Sequence, residues 1–210
     1  LARMAELHEK GPGGFVENEV SCPSTVLDRI VPATTDEDRA RIAASLGAED
    51  AWPVVTERFT QWVVENDFPE GRPDWAATMV KDAGPHELMK IRLLNGAHSA
   101  LAYLGCLAGR ETVADAMADP ALSHFVEHLM RKEVAPTLKP PEGASIAQYM
   151  DSLLERFRNP ALRHRCAQIA MDGSQKLPQR LLSAIRERLK QRQPIDALAL
   201  GVAAWMRHAT

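Results

Sequence analysis

The sequence has few cysteines and no long apolar run. Its three cysteines, Cys22, Cys106 and Cys166, are far apart and form no CxxC pair. The spacing indicates neither a disulfide framework nor a structural zinc site, and isolated thiols are typical of a reducing cytoplasm. No stretch approaches the ~20 consecutive apolar residues of a membrane-spanning helix. We therefore expect a cytoplasmic protein with no metal ligands and no membrane partner.

The chain also lacks an excess of charge of either sign. It has 28 acidic and 25 basic side chains, a formal net charge of -3, and 45% hydrophobic residues. This balance is typical of a globular protein and excludes both intrinsic disorder and a strongly basic nucleic-acid-binding protein. A length of 210 residues accommodates one large domain or two small ones.

Turn residues and apolar periodicity divide the chain into two parts. The first, 1–84, is mixed: a helix-compatible stretch at 1–10, GPGG at 11–14, short extended pieces within 15–33, a helix over 34–46, a strand over 54–64 and a loop over 68–75. The second, 85–210, is helical, with helices predicted at 86–108, 111–118, 121–134, 145–157, 160–171, 177–192 and 195–207. The pattern predicts a mainly α fold with a minor β element near the N-terminus.

The long helix over 86–108 carries three polar side chains among apolar ones. Lys90, Asn95 and His98 lie on one side of an ideal α-helix, and Asn95 and His98 are i,i+3 neighbours. A desolvated lysine acts as a base near neutral pH, and an amide and an imidazole donate hydrogen bonds to a developing alkoxide. This set suits proton transfer at a carbonyl or carbinol oxygen.

A simpler alternative explains the same residues as surface groups together with a half-buried histidine. Gly96 favours the functional interpretation, because a glycine inside a helix costs ~1 kcal/mol and suggests close approach by a ligand or by backbone.

Three ordered blocks of the chain form a recognisable pattern. They are CPSTVLDRIVP at 22–32, the stretch over 57–109 that contains GPHELMKIRLLNGAHSALAYLGCLAG, and RFRNPALRHRCAQIAMDGSQKLPQR at 156–180. Together they resemble the long-chain mannitol dehydrogenase family of polyol and uronate dehydrogenases. The resemblance implies a metal-independent oxidoreductase that uses NAD or NADP. It also implies that the helical part is similar to the C-terminal domain of 6-phosphogluconate dehydrogenase.

The resemblance assigns roles to individual residues. Lys90 matches the family's general acid/base, and Asn95 and His98 match the residues that orient the reacting oxygen. Asp28 matches an aspartate that lines the active site, and Lys176 matches a lysine that reaches the distal end of the substrate. Without the resemblance, Asp28 is a loop carboxylate and Lys176 a surface lysine.

The implied substrate is a sugar alcohol, an aldonate or the corresponding 2-keto compound. Gln168 stands where some mannitol-oxidising members have arginine, which favours the fructuronate reductase (D-mannonate oxidoreductase) branch over mannitol 2-dehydrogenase. A carboxylate substrate needs a nearby cation, which Lys176, Arg165 or Arg29 can supply. Arg29 and Gln168 therefore join the candidate substrate-binding residues, and the choice between hexitol and uronate stays open.

The family also has a Rossmann domain whose glycine-rich turn binds the dinucleotide. GPGG at 11–14 does not have the G-x-G-x-x-G spacing of that turn. We therefore expect the cofactor-binding residues and most of the Rossmann domain upstream of Leu1, and the family's C-terminal end beyond Thr210. On this interpretation residues 1–84 are the end of the Rossmann domain with a connecting segment, and the 210 residues alone bind cofactor poorly and turn over no substrate.

Several alternatives remain at this stage. The chain is either the catalytic part of such a dehydrogenase or a helical dimerisation or interaction module that has lost catalysis. His124 and His128 are spaced for a metal but lack the HExxH order, so a solvated helix face is favoured. His164, between two arginines, is either an anion contact or part of a basic surface, and Glu133 is a further candidate near a helix end.

Overall fold

A computed structural model of the chain describes residues 20–68 and 71–210. The helix predicted over 1–10 and the GPGG segment at 11–14 lie outside these residues. The described residues form two compact units: one contains 20–27, 61–68 and 71–83, and the other contains 28–60 and 84–210. The sequence-based division into 1–84 and 85–210 stays a prediction.

The smaller unit is built around a short sheet in the order β1-β2-β3, with strands Thr25–Asp28, Gln61–Glu65 and Thr78–Val80. Strands β2 and β3 run parallel, with Val63 opposite Thr78. Val26, Val63 and Ala83 form its small core. The minor β element predicted near the N-terminus is therefore present.

The strand predicted over 54–64 is wrong in its first half, because only Gln61–Glu65 pairs in the sheet. Residues 56 and 57 instead turn toward the backbone of Ile30: Thr56 Oγ1 and the Glu57 N–H both donate to the Ile30 carbonyl oxygen, at 3.1 and 3.3 Å. The alternation of apolar residues did not reveal this contact. The sequence also did not predict strand β3, which has only three residues.

The helices occupy most of the larger unit, and the mainly α fold predicted from the sequence is confirmed. Helix α1 is Asp36–Leu46, capped by Thr35 and ended by Gly47, which has φ +67°. The others are α2 (Gly84–Met89, a π-helical stretch Lys90–Gly96, and Ala97–Leu107), α3 (Val113–Ala118), α4 (Pro120–His128 with a π-helical stretch Leu129–Val134), α5 (Ile146–Phe157), α6 (Cys166–Ala170), α7 (Gly173–Leu177, a π-helical stretch Pro178–Leu182, and Ser183–Lys190) and α8 (Asp196–His208).

The single helix predicted over 160–171 is wrong. A short 3₁₀ turn, Pro160–Leu162, is followed by Arg163 with φ +46°, and α6 begins only at Cys166. Between them, Arg165 pairs with Thr112 in an antiparallel bridge, and the Val113 N–H donates to the His164 carbonyl at 3.0 Å. These long-range backbone bonds replace the intrahelical ones.

Helix α2 lies at the centre of the larger unit. Its last segment, Ala97–Leu107, packs against α6 and α8, and it contributes fully buried side chains to a core that is mostly aliphatic. The largest of the fully buried apolar side chains in this core are Tyr103, Phe157, Leu93, Leu101, Leu129, Met130, Leu153, Leu177, Leu181 and Leu198. No helix of the part that the structure describes is long and apolar enough to cross a bilayer.

A buried ionic cluster attaches residues 28–60 to the helices. Asp28, Glu57 and Arg156 are 2, 5 and 7% exposed. The Arg156 guanidinium donates to Asp28 Oδ1 at 2.7 Å and to both Glu57 oxygens, at 2.8 and 2.9 Å, and it stacks over the Phe59 ring. Tyr149 adds a hydroxyl bond to Asp28 Oδ2 at 2.5 Å. One cation therefore binds two buried carboxylates and holds both in place.

The charges of this cluster change the ionisation of its members. Burial by itself lowers the pKa of Arg156, but its hydrogen bonds to Asp28 and Glu57 outweigh burial and raise it. Burial and the Asp28 carboxylate raise the pKa of the Tyr149 hydroxyl. Arg156 is therefore charged and Tyr149 neutral throughout the physiological pH range.

Replacing Arg156 with methionine is expected to lower the free energy of unfolding by about 3–5 kcal/mol, because two buried carboxylates lose their counter-charge. Arg158→Met is the matched control, since Arg158 lies on the same helix end but is exposed, and a change within about 0.5 kcal/mol is expected. Urea unfolding of both variants measures the difference. Equal unfolding midpoints would contradict a stabilising role for the cluster.

Candidate active site

The π-helical stretch of α2 changes which side chains share a face. Lys90 and Asn95 lie five residues apart within it. On an α-helix such residues are about 140° apart, whereas i→i+5 hydrogen bonding brings them to consecutive turns of one side. The angle around the helix axis between Lys90 and Asn95 is therefore smaller than α-helical spacing predicts. π-Helical insertions often occur at functional sites.

A cleft of about 270 Å³ opens beside this stretch. We call it the basic cleft, and its described lining consists of Arg29, Ile30, Val31, Leu94, Asn95, His98, His164, Gln168, Ile169, Lys176 and Arg180. This lining contains three cationic side chains and no aspartate or glutamate. Of the seven residues that the sequence proposes for catalysis or substrate binding, five therefore meet here: Asn95, His98, Arg29, Gln168 and Lys176.

His98 is the most strongly perturbed of these side chains. Its ring is buried, stacks on Phe157 at 5.0 Å and meets the edge of the His164 ring at 4.9 Å. Burial, and then the nearby His164, Arg180 and Arg156, hold the pKa of His98 well below its usual range. The imidazole is therefore neutral at neutral pH and carries one N–H donor and one acceptor nitrogen.

Gly96 allows two helices to approach each other closely. A Cβ atom at this position would lie 2.8 Å from the Arg180 carbonyl oxygen of α7 and 3.5 Å from Leu181. The sequence offers two reasons for a glycine here: close approach by a ligand or close approach by backbone. The structure supports the second reason, because the neighbouring atom is a backbone oxygen. The contact fixes Arg180 next to the turn that carries Asn95.

Lys90 is half-buried at the start of the π-helical stretch. The described lining of the basic cleft does not include it. Its role as general acid/base stays a prediction, supported by the shared helix side with Asn95.

The assignment of Asp28 to substrate binding stays a prediction. Its carboxylate is buried and accepts hydrogen bonds from Tyr149 and Arg156, and Asp28 is absent from the described lining of the cleft. Its neighbour Arg29 does line the cleft and donates to the Glu57 carbonyl oxygen at 2.9 and 3.1 Å. The geometry therefore supports Asp28 as a residue that positions this segment.

Two other predicted residues that line the cleft have identifiable hydrogen-bond partners. The Gln168 side-chain oxygen accepts from the Ala33 N–H at 3.3 Å. Lys176 donates to the carbonyl oxygens of Ile169 and Met171 and lies 3.8 Å from the Asp172 carboxylate. Arg165, offered as an alternative cation, is exposed and pairs with Glu111 on another surface.

The sequence did not single out Arg180, and it left His164 between two roles. Arg180 follows Lys176 by four residues, so both lie on one face of α7. The four-residue spacing could have pointed to Arg180 from the sequence. Only the contact with Gly96, however, shows that Arg180 lies beside the turn that carries Asn95. His164 lines the cleft, and burial lowers its pKa to about 4.

The remaining candidates have structural or surface positions. His124 and His128 are exposed with ring centroids 6.4 Å apart, and no group of three metal-ligating side chains occurs in the described ranges. Glu133 is buried and accepts from the Ala197 and Leu198 N–H groups at 2.9 and 2.8 Å. It therefore neutralises the amino end of α8, a structural role.

Comparisons with known proteins show the family to which the chain belongs. Residues 82–210 match the mannitol dehydrogenase C-terminal domain, and residues 4–77 match the mannitol dehydrogenase Rossmann domain. The chain belongs to the mannitol dehydrogenase family. The resemblance seen in the sequence is confirmed.

Three members of the mannitol dehydrogenase family illustrate the similarity. D-mannonate oxidoreductase of Escherichia coli (strain K12) is 50% identical over 98% of this chain and 43% of its own length. A mannitol 2-dehydrogenase of Phaeosphaeria nodorum is 40% identical over 89% of this chain and 34% of its own length. The structure of Pseudomonas fluorescens mannitol 2-dehydrogenase, a ternary complex with NAD and D-mannitol, superposes with a TM-score of 0.91 at 36% identity, over 99% of this chain and 43% of that chain. The chain thus spans less than half the length of these relatives.

The family match corrects one expectation. The sequence indicated only the end of the Rossmann domain and a connecting segment in 1–84, whereas the whole of 4–77 matches the Rossmann-domain model. The glycine-rich turn is no guide to this match, because the strands of a Rossmann domain carry no such fingerprint. Strands β1 and β2 lie within this match, whereas β3 begins just after it, at Thr78.

Gly96→Ala is expected to destabilise the protein by about 1–2 kcal/mol, although alanine is the better helix former. The added methyl group lies too close to the Arg180 carbonyl oxygen, so α2 and α7 must separate. Thermal unfolding followed by circular dichroism measures the change. A variant as stable as the native protein would contradict the close approach.

Stability is expected to fall as the pH is lowered from about 7 to about 5. Unfolded histidines bind a proton near pH 6.5, whereas folded His164 binds one only near 4, so the unfolded state gains protons first. His164→Gln should reduce the loss by about 1 kcal/mol, allowing for partial exposure of the ring. His124→Gln, at an exposed site, is the control. Identical pH dependence of the unfolding midpoint in both variants would contradict the lowered pKa.

Proposed function

We propose that this chain is the catalytic part of an NAD(P)-dependent oxidoreductase that interconverts a secondary alcohol of a polyol or aldonate with the 2-keto compound. The names of the relatives point to D-mannonate and D-mannitol as substrate types. The observation that carries the proposal is the convergence of Asn95 and a neutral His98 on one cleft, on the helix that presents Lys90.

The side chains of Lys90, Asn95 and His98 suit this reaction. Lysine, amide and imidazole side chains move protons and donate hydrogen bonds, but no side chain takes up a hydride. Oxidation of a carbinol at these groups therefore requires a hydride acceptor from outside the chain. A bound nicotinamide supplies that acceptor.

Lys90 would remove the hydroxyl proton of the substrate as its C–H hydride leaves, so a C=O bond forms and the proton stays on the lysine Nζ atom. In the reductive direction Lys90 would return the proton to the carbonyl oxygen. Asn95 and His98 would donate hydrogen bonds to that oxygen and stabilise its developing negative charge. Because burial keeps His98 neutral, it competes poorly as an acid and leaves proton transfer to Lys90.

The residues that would hold the phosphates of the dinucleotide are not evident in the described part of the chain. Helix α1, the one helix described within 4–77, begins at a Thr35 cap and has Asp36, Glu37 and Asp38 in its first turn. Three acidic residues repel phosphate, so this helix end does not suit it. The basic cleft fits the substrate side of the reaction.

The alternative of a non-catalytic helical module has less support. Such a module has no need to direct polar groups into a cleft, whereas here five candidate residues line one. The choice of NAD or NADP, the similarity to the C-terminal domain of 6-phosphogluconate dehydrogenase and a cytoplasmic location stay predictions.

Lys90→Ala is expected to lower kcat/KM by at least about 100-fold, because the proton acceptor is removed. The complete product of the encoding gene should be assayed with D-mannitol, D-fructose, D-mannonate and D-fructuronate, and with NAD(H) and NADP(H), by following nicotinamide absorbance.

Lys139→Ala is the matched control, since Lys139 is exposed and lies outside the cleft lining. It should retain native activity, and circular dichroism verifies that both variants fold. A fully active Lys90→Ala enzyme would overturn the assignment of Lys90. The absence of turnover with every substrate and cofactor would overturn the proposed function.

A further inference from the structure

Arg180 is a half-buried cation that meets no acidic partner in the described ranges. Its Nη1 atom donates to Ser99 Oγ at 2.9 Å, and Ser99 is fully buried. No ion pair of the described residues includes Arg180, and burial lowers its pKa. A partly desolvated guanidinium is stabilised by an anion, and nothing described in the protein supplies one.

The other two cations of the basic cleft are differently engaged. Arg29 uses Nε and Nη2 on the Glu57 carbonyl oxygen. Lys176 is held by two carbonyl oxygens and the Asp172 carboxylate. Of the three cations in the described lining, Arg180 is therefore the one that bonds neither a carboxylate nor a carbonyl oxygen.

The position of Arg180 relative to Asn95 and His98 is fixed at two points. Its carbonyl oxygen packs against Gly96, and its guanidinium binds Ser99, the residue that follows His98. A molecule whose reacting oxygen lies at Asn95 and His98 therefore has Arg180 beside it. The acid-free lining adds a positive potential that attracts anions into the cleft.

We infer that Arg180 determines substrate specificity by binding the carboxylate of a polyhydroxy acid, an aldonate or its 2-keto form, in preference to a neutral hexitol. A guanidinium and a carboxylate form two parallel hydrogen bonds, which a hydroxymethyl group does not reproduce. This inference rests on the proposed function, because it assumes that the basic cleft binds the substrate.

The test compares two ligands of equal chain length that differ at one end. D-mannonate carries a carboxylate where D-mannitol carries a hydroxymethyl group. Calorimetric titration of the complete gene product with each ligand, with oxidised cofactor present, gives the two affinities. In Arg180→Met we expect the affinity for D-mannonate to fall about 10- to 100-fold and that for D-mannitol to change less than about twofold.

Two further variants test whether the charge of Arg180 or its paired hydrogen-bond geometry determines the affinity for D-mannonate. Arg180→Lys keeps the charge but loses the paired geometry, so an intermediate loss of D-mannonate affinity is expected. Arg186→Met removes an exposed arginine of the same helical segment and should leave both affinities unchanged. Circular dichroism and a cofactor titration of each variant accompany the measurements.

Each other outcome has a distinct meaning. An equal loss for both ligands in Arg180→Met, or a loss of cofactor affinity alone, overturns the inference. Native protein that binds D-mannitol but not D-mannonate also overturns it, while leaving the proposed function intact. Binding of neither ligand overturns the proposed function, and the inference with it.

Discussion

The Arg156 guanidinium, buried between the Asp28 and Glu57 carboxylates, is the interaction on which the candidate site depends. It attaches residues 28–60, which have little regular structure outside α1, to helix α5. Glu57 extends the effect, since its side chain accepts from the Ile30 N–H at 2.6 Å and its carbonyl oxygen accepts from Arg29. Because Arg29 and Ile30 form one wall of the basic cleft, the ionic cluster builds that wall.

The opposite wall depends on close packing of helices. Gly96 lets α7 approach α2 until the Arg180 carbonyl oxygen lies against it, and the Arg180 side chain then binds Ser99. Neither contact is local in the sequence. The cleft therefore forms where an electrostatic attachment on one side and a packing contact on the other bring distant segments together.

The same burial that makes this cleft also sets the charges in it. Desolvation keeps His98 and His164 neutral, and the same cleft is lined by Arg29, Lys176 and Arg180. A neutral imidazole beside fixed cations donates a hydrogen bond without taking part in proton transfer. This division of roles suits the proposed reaction, in which Lys90 would take the hydroxyl proton and a bound nicotinamide would take the hydride.

Much of the helical architecture was predictable from the sequence, because apolar periodicity and capping residues are local signals. The long helix α2 and helix α5 both appear close to the predicted bounds. The failures have long-range causes. The bridge between Thr112 and Arg165 interrupts a predicted helix, and backbone bonds to Ile30 replace half of a predicted strand.

For the candidate site, the sequence by itself determined the residue types on α2: a lysine, an amide and an imidazole at fixed spacing, together with a family resemblance that similar proteins confirm. Tertiary structure decided their environment. It pairs Asp28 with Arg156, keeps His98 neutral and places Arg180 in the cleft lining. Spacing along a chain specifies which groups share a helix face, but burial and charge depend on segments far away in sequence, which only the folded structure brings into contact.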